Sequence, residues 1–399
     1  MYILFVALAE LRRTAEGAKI VEQAVYLLGK TYAAQQDTER LVQLMTDVRP
    51  FFTCIPKART AKVVRTLMDL VAKTPDSLGA QLSLCKEAVE WCTQEKRTFL
   101  RQRLQSRLVD LLLKHSEYAD ALELIKTLVM EVKKIDDKLM LVEIHLTEAR
   151  VHHAVENLAK AKAALTAART NSNAIYVPPA LQAQIDMMAG VLNTELEDFD
   201  TAFSYYFEAF EAFDGQKEDD PRALQCLSYM VLCRIMVGNY KDVGALVAGK
   251  HGIKYACEKL NALKSVSEAY KDRSLKHFME ARKVFKSELD SDQLVKKNLD
   301  NLYDTMLEQN LIRIVEPYSC VEISHVAACI SMDKASVESK LSQMILDGKM
   351  LGILDQGRDV LILYDAAAPS KVYEDSVGTI RNMDVVVTNL FTRAKHITA

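Results

Sequence analysis

A short polar turn recurs along this chain at an almost constant interval. When the turns are aligned, equivalent residues fall at Thr38, Leu78, Tyr118, Leu158, Phe199 and Tyr240, so the intervals are 40, 40, 40, 41 and 41 residues. Self-similarity at a period of this size is typical of stacked repeats. The chain is therefore expected to build a solenoid in which each unit packs mainly on its neighbours.

Each repeat has the pattern of a helix, a polar turn and a second helix. The apolar residues before and after one turn follow helical spacing: Leu104, Leu108, Leu111 and Leu112, then Ala121, Ile125, Leu128 and Val132. Glycine (13) and proline (8) are scarce, which favours long helices with short connections. An aromatic or leucine residue before the second helix, followed three residues later by a small one, resembles tetratricopeptide packing. We expect an all-α solenoid of such helix pairs over residues 1–255.

A different pattern begins after residue 255. A long helix is predicted over 291–315, and it is followed by a strand at 321–323, helices at 325–330 and 333–346, and strands at 350–354 and 360–364. A helix, a strand, two helices and a β-hairpin make a winged helix. We therefore expect a second domain over 256–365 that contains linking helices and this winged helix.

The chain ends with a predicted long helix that carries an apolar heptad stripe. The linker 366–370 precedes it, and the helix extends to about residue 396. The stripe residues that we expect to bind partner helices are Ile380, Met383, Val387, Leu390 and Ile397. An exposed stripe of this size needs a cover, so we expect residues 366–399 to join a bundle with other chains. Folding back on the chain's own winged helix is the alternative.

No set of residues has the pattern of a catalytic, cofactor or metal site. Gly244–His251 resembles a phosphate-binding loop, but His251 stands where a magnesium-binding Ser or Thr is needed, and no strand is predicted before it. His145, Glu148 and His152 share a helical face and could hold a metal with a fourth ligand, although surface polar residues explain them as well. The eight cysteines are scattered. We expect no enzyme activity, no cofactor and no metal.

The charge distribution argues against nucleic acid as a partner. The formal net charge is −3, and residues 293–365 contain 7 Lys/Arg against 11 Asp/Glu, a balance of 7 − 11 = −4. Neutralising phosphates is the main source of non-specific nucleic-acid affinity. We therefore expect the winged helix to contact proteins.

One stretch of the chain is rich in basic residues. The cluster consists of Lys96, Arg97, Arg101, Arg103 and Arg107, and it fits either the solvated face of a helix or a surface for an acidic protein.

The apolar run over 1–9 lacks the basic start of a secretory signal, so we expect the beginning of a helix there. No run of 18 apolar residues occurs, and we expect no membrane contact.

A helical solenoid followed by a winged helix resembles the PCI domain, which is shared by the proteasome lid, the COP9 signalosome and a multi-subunit translation initiation factor. Five segments resemble one family of proteasome lid subunits, and the similarity extends over nearly the whole chain from about residue 16. The segments are 95–102 (EKRTFLRQ), 173–179 (NAIYVPP), 307–313 (LEQNLIR), 340–347 (KLSQMILD) and 352–357 (GILDQG). The first residues depart from the family pattern.

This resemblance implies a non-catalytic scaffold that helps assemble the proteasome regulatory particle and braces lid, ATPase ring and core particle during ubiquitin-dependent degradation. The edges of the wing strands, at 350–354 and 360–364, would join other PCI-domain lid subunits, with Leu351, Ile353, Leu361 and Leu363 as the binding residues. The solenoid would extend toward the ATPase ring and a core-particle α-subunit. The location would be cytoplasmic and nuclear. The alternatives are a subunit of the COP9 signalosome, a nucleic-acid-binding winged-helix protein and a hydrolase without a familiar motif.

Overall fold

The computed structural model describes residues 15–49, 52, 56–72, 74, 78–215, 221–330, 332–364 and 371–398. It divides the chain into two compact units, residues 1–267 and 268–399, whereas the predicted boundary was at 255/256. The expected helix start at 1–9 and the expected linker at 366–370 lie outside the described residues.

The first unit is built from helices joined by short turns. Their bounds are α1 Ala15–Ala34, α2 Thr38–Asp47, α3 Lys57–Val71, α4 Leu78–Gln94, α5 Thr98–Lys114, α6 Tyr118–Ile135, α7 Lys138–Ala154, α8 Leu158–Asn173, α9 Pro179–Glu195, α10 Phe199–Asp214, α11 Pro221–Val237, α12 Tyr240–Ala248, α13 Lys250–Lys254 and α14 Glu258–Lys271, which continues past the division. Each aligned turn position, which was expected to precede the second helix of its repeat, is itself the first residue of a helix. The predicted solenoid of helix pairs is confirmed.

The turns have a common backbone geometry that explains the regular interval. The residue two positions before the helix start has a left-handed conformation in five of them, namely Gln36, Ser116, Glu156, Glu197 and Gly238. This conformation ends the preceding helix and lets the next amide groups bond back to its last carbonyls. In three of these turns the following residue caps the new helix, because Asp37, Asn157 and Asp198 accept hydrogen bonds from the backbone N–H three residues on.

The structure adds turns that the repeat analysis missed. Lys96 and Asp136 are also left-handed, and helices α4 to α8 begin at residues 78, 98, 118, 138 and 158. In this region, therefore, the turn between repeats is as short as the turn within a repeat. The predicted small residues after the turns are fully buried at Ala121, Ala161 and Ala202, where the two helices of a pair approach closely.

The second unit contains α15 Leu275–Val284, α16 Lys286–Leu289, α17 Gln293–Val315, β1 Cys320–Glu322, α18 Ile323–Ile330, α19 Lys334–Leu346, β2 Gly352–Asp355, β3 Val360–Leu363 and α20 Lys371–Thr398. The strands form an antiparallel sheet in the order β1–β3–β2. Its core joins the end of α17 to the two short helices and the sheet through Leu311, Val326, Leu341, Met344 and Leu361. The predicted winged helix is confirmed, with β1 and α18 each beginning slightly earlier than expected.

Candidate protein-interaction surfaces

The predicted stripe on α20 is open to solvent. Ile380 is 66% exposed and Leu390 is 60% exposed, and Met383 and Val387 are exposed to a similar extent. Ile397 lies within the helix, but its side chain is outside the described residues. In this structure the described part of the chain does not cover the stripe. The alternative in which α20 folds back on its own winged helix is therefore not the arrangement observed.

The apolar surface of α20 is wider than the heptad pattern indicated. Tyr373, Val377, Val386 and Phe391 are also exposed. At 3.6 residues per turn these side chains and the stripe together occupy an arc of about 180°, roughly half of the helix circumference. The seam of a two-stranded coiled coil is narrower, because it needs only the a and d positions. An arc of this width is suited to contact with at least two neighbouring helices.

Within the described residues, β2 is an outer strand of the sheet, and no strand pairs with its edge on the side away from β3. Strand β3 pairs with β2 on one side and with β1 on the other, so over Val360–Leu363 the expected free edge does not exist. The prediction failed because the third strand comes from residues 320–322, far along the chain from the hairpin.

The four wing residues predicted to bind partners separate into two groups. Leu351, which lies just before β2, and Ile353, which lies within it, are each about half exposed. Leu361 is 0% exposed and forms part of the winged-helix core, and Leu363 is partly buried against the same core. Leu361 is therefore a structural residue and is not available to a partner, which corrects the prediction for this position.

A pocket of about 390 Å³ with both polar and apolar side chains in its lining lies beside the start of the wing. Its exposed apolar lining comes from Ile312 on α17, Tyr318 after it, and Leu351 and Tyr364 at the ends of the hairpin. Lys349 and Glu316 supply charge at its border. Sequence analysis did not single out this pocket, although Pro317 and Tyr318 follow a predicted helix end and Tyr364 ends a predicted strand.

The basic cluster is not one open face. The Arg97 guanidinium lies 4.8 Å from the Trp91 ring centroid and donates to the Phe52 carbonyl. Arg101 pairs with Glu131 at 2.5 Å, and Arg107 pairs with Asp69 at 2.5 Å. Three of the five residues therefore hold neighbouring helices together. Only Lys96 and Arg103 are exposed. The expected solvated or acidic-partner surface over all five residues is wrong, because successive positions point to different neighbours.

His145 in the histidine group on α7 is buried and paired with an acidic side chain. His145 is 7% exposed, and its Nδ1 lies 2.8 Å from Glu148 Oε2. This hydrogen bond is the main reason that the pKa of Glu148 is lowered. Within the described ranges, no group of three or more His, Cys, Asp or Glu side chains is arranged to hold a metal ion. His145 is thus a buried, paired side chain and not the surface residue that was expected.

The segment Gly244–His251, which resembles a phosphate-binding loop in sequence, is explained by its place in the helices. Gly244 lies inside α12, and Lys250 begins the short helix α13. The preceding element is the long helix α11, whereas a phosphate-binding loop requires a strand there. A search of the described helices for a segment long and apolar enough to cross a membrane finds none.

Comparison with known proteins assigns both ends of the chain to domain families. Residues 4–115 match the family model of the 26S proteasome regulatory subunit RPN6 N-terminal domain, and residues 275–365 match the PCI domain. The second match covers the winged helix and the helices before it.

Three relatives are similar over most of their length. A protein of Arabidopsis thaliana named 26S proteasome non-ATPase regulatory subunit 11 homolog is 48% identical over 99% of this chain and 94% of its own. The probable 26S proteasome regulatory subunit rpn6 of Schizosaccharomyces pombe is 44% identical over 92% of this chain and 87% of its own. The 26S proteasome regulatory subunit RPN6 of Saccharomyces cerevisiae is 39% identical over 94% of this chain and 87% of its own.

Proposed function

This chain belongs to the family of 26S proteasome regulatory subunit RPN6, and from that premise we propose that it is a non-catalytic scaffold subunit of the regulatory-particle lid. In this role it helps assemble the lid and braces lid, ATPase ring and core particle during ubiquitin-dependent protein degradation. The single observation that carries the proposal is the uncovered apolar arc of α20.

The width and exposure of this arc support a role in assembly. Burying one Ile or Leu side chain stabilises an interface by about 1.5–3 kcal/mol. Ile380, Met383, Val387 and Leu390 together supply several such side chains on one helix. An exposed apolar surface of this kind promotes aggregation of a solitary chain, whereas in a complex it is buried against a partner. We therefore assign α20 to a bundle formed with the helices of other lid subunits.

The free edge of β2 supports a second contact, with other PCI-domain lid subunits. An unpaired strand edge presents backbone N–H and C=O groups that a neighbouring chain can bind. Gly352–Asp355 supplies such an edge, and the exposed side chains of Leu351 and Ile353 lie at the same place. The pocket beside the wing adds area to this contact.

The solenoid is the part that we assign to the ATPase ring and to a core-particle α-subunit. Stacked repeats of helices provide long, rigid surfaces, which suits a brace between large bodies. Residues 4–115, which match the RPN6 N-terminal domain, belong to this part of the chain. A cytoplasmic and nuclear location follows from the same function.

The alternatives are less well supported. The relatives are named as proteasome subunits, which favours the proteasome over the COP9 signalosome. The balance of −4 over residues 293–365 disfavours a nucleic-acid-binding winged helix.

Affinity purification of the tagged chain from cells tests the proposal. We expect lid subunits, proteasomal ATPases and core-particle subunits to co-purify in comparable amounts. Recovery of the chain alone would overturn the scaffold role, and recovery of signalosome subunits would assign the scaffold to that complex instead.

A further inference from the structure

An open pocket of about 440 Å³ lies in the first unit between α6 and α8, with α7 below it. Each helix contributes a small number of side chains: Leu122 and Lys126 from α6, His145, Glu148 and His152 from α7, and Lys160, Ala163, Ala164 and Ala167 from α8. A volume of this size falls within the range of small-molecule and side-chain binding sites.

One repeat has a small side chain at this pocket where the neighbouring repeats have a large one. Ala164 is the sixth residue after the start of α8, and the sixth residues after the starts of α6 and α10 are Leu124 and Tyr205. Tyr205 takes part in filling the next groove, where Arg169 donates to its hydroxyl at 2.8 Å and stacks over its ring. At Ala164 no side chain reaches across, so the groove remains open.

Two lysines bring positive charge to this pocket, Lys126 from α6 and Lys160 from α8. The exposed ammonium groups of Lys126 and Lys160 lie on its two sides, and within the described part of the chain neither forms an ion pair. His152 lies between them, and burial first, then the charges of Lys160 and Lys126, lower the pKa of this imidazole, while Glu148 acts in the opposite direction. The Glu148 carboxylate is engaged by His145 at 2.8 Å.

We propose that the pocket formed by Lys126, His152 and Lys160 binds a phosphoryl group. Two lysines are suited to phosphate as point charges on flexible stems, and the imidazole N–H of His152 adds a third donor. A phosphoryl group carries about −1.5 to −2 charges at neutral pH, which matches the two lysine charges better than the single charge of a carboxylate does. The group could belong to a phosphorylated partner protein or to a free phosphate compound.

Histidine-labelled full-length chain observed by NMR tests the proposal. The ligands are inorganic phosphate, a phosphoserine peptide, its serine counterpart and acetate. We expect saturable shifts of the His152 signals with phosphate or the phosphopeptide, together with a rise in the pKa of His152 because a bound anion offsets the charges of the two lysines. Tighter binding of the phosphopeptide would identify a protein source, and equal affinity would identify a free phosphate compound.

Two kinds of variant separate binding from folding. Lys126→Gln with Lys160→Gln should weaken binding at least about tenfold, since each removes a charge-assisted hydrogen bond. Lys162→Gln, which changes an exposed lysine of α8 that does not line the pocket, should bind normally. Ala164→Leu, which restores the larger side chain of the neighbouring repeat, should block the pocket. If that variant unfolds, the double lysine variant still tests the proposal.

Three results would overturn the proposal. The first is an absence of His152 shifts with phosphate and with the phosphopeptide. The second is normal binding by the double lysine variant. The third is binding of acetate as tight as that of phosphate, which would assign the pocket to carboxylate groups.

Discussion

Gly190 on α9 packs against the ring of Tyr206 on α10 so closely that a β-carbon at position 190 would lie 2.5 Å from Tyr206 Cε1. The ring of Tyr206 is fully buried, and its hydroxyl lies 3.1 Å from Thr194 Oγ1. The ring centroid is also 5.2 Å from that of Tyr229 on α11. Three consecutive helices of the solenoid therefore meet at a point that only glycine permits.

Gly190→Ala should destabilise the solenoid. The added methyl group must displace the Tyr206 ring, and overpacking of this kind costs about 1–3 kcal/mol. The free energy of unfolding from urea denaturation measures the effect. Gly244→Ala is the matched control, because its β-carbon would meet nothing within 4 Å inside α12. That change should stabilise by about 0.5–1 kcal/mol. Similar effects of both changes would contradict the close contact.

Tyr118→Ala should also destabilise the solenoid, by about 2–4 kcal/mol. Tyr118 begins α6 and packs, half-buried, against the core of the first unit. Thermal unfolding followed by circular dichroism measures the loss. Tyr176→Ala removes the same ring from a site that is 88% exposed and should leave the transition almost unchanged. An unchanged transition for Tyr118→Ala would show that the residue does not close the helix pair.

Glu156→Gly should stabilise the chain by about 1 kcal/mol. Glu156 has φ +61° in the turn before α8, and this left-handed conformation costs roughly 1–2 kcal/mol for a residue with a β-carbon. Urea denaturation measures the gain. Glu123→Gly, at an exposed position inside α6, should instead cost about 1 kcal/mol. Destabilisation by both changes would contradict the turn geometry.

Asp214→Asn should reduce stability in a manner that depends on pH. Asp214 Oδ1 accepts hydrogen bonds from Lys254 Nζ at 2.5 Å and Tyr255 Oη at 2.7 Å, and these bonds lower its pKa. A carboxyl group with a lowered folded-state pKa stabilises above its unfolded pKa of about 3.9 and loses this contribution as the pH falls through the folded value.

Urea denaturation of both proteins across pH measures the difference for Asp214→Asn. It should be largest near neutral pH and should shrink below about pH 4. A difference that stays constant over this range would mean that the charge of Asp214 does not contribute.

The features that could be predicted from the sequence are those that depend on neighbouring residues. Asp37 and Asp198 cap helices through backbone groups three residues away, so their turns were visible as a local pattern. Arg107 meets Asp69, which is 38 residues earlier, and a list of nearby charges could not show that pairing. Leu361 faces the core because β1 completes the sheet from a distant segment. The stripe on α20 was visible because a heptad is local, whereas its uncovered state required the structure.

The most direct measurement is incorporation of a charged α20 variant into the lid. Ile380→Asp with Leu390→Asp places two charges in the apolar arc, whereas Asn382→Asp with Asn389→Asp places two on the opposite side of the same helix. Purification of the assembled regulatory particle should recover the second variant at the level of the unchanged chain and should not recover the first, although both chains remain folded by circular dichroism. Equal recovery of both variants would contradict the account.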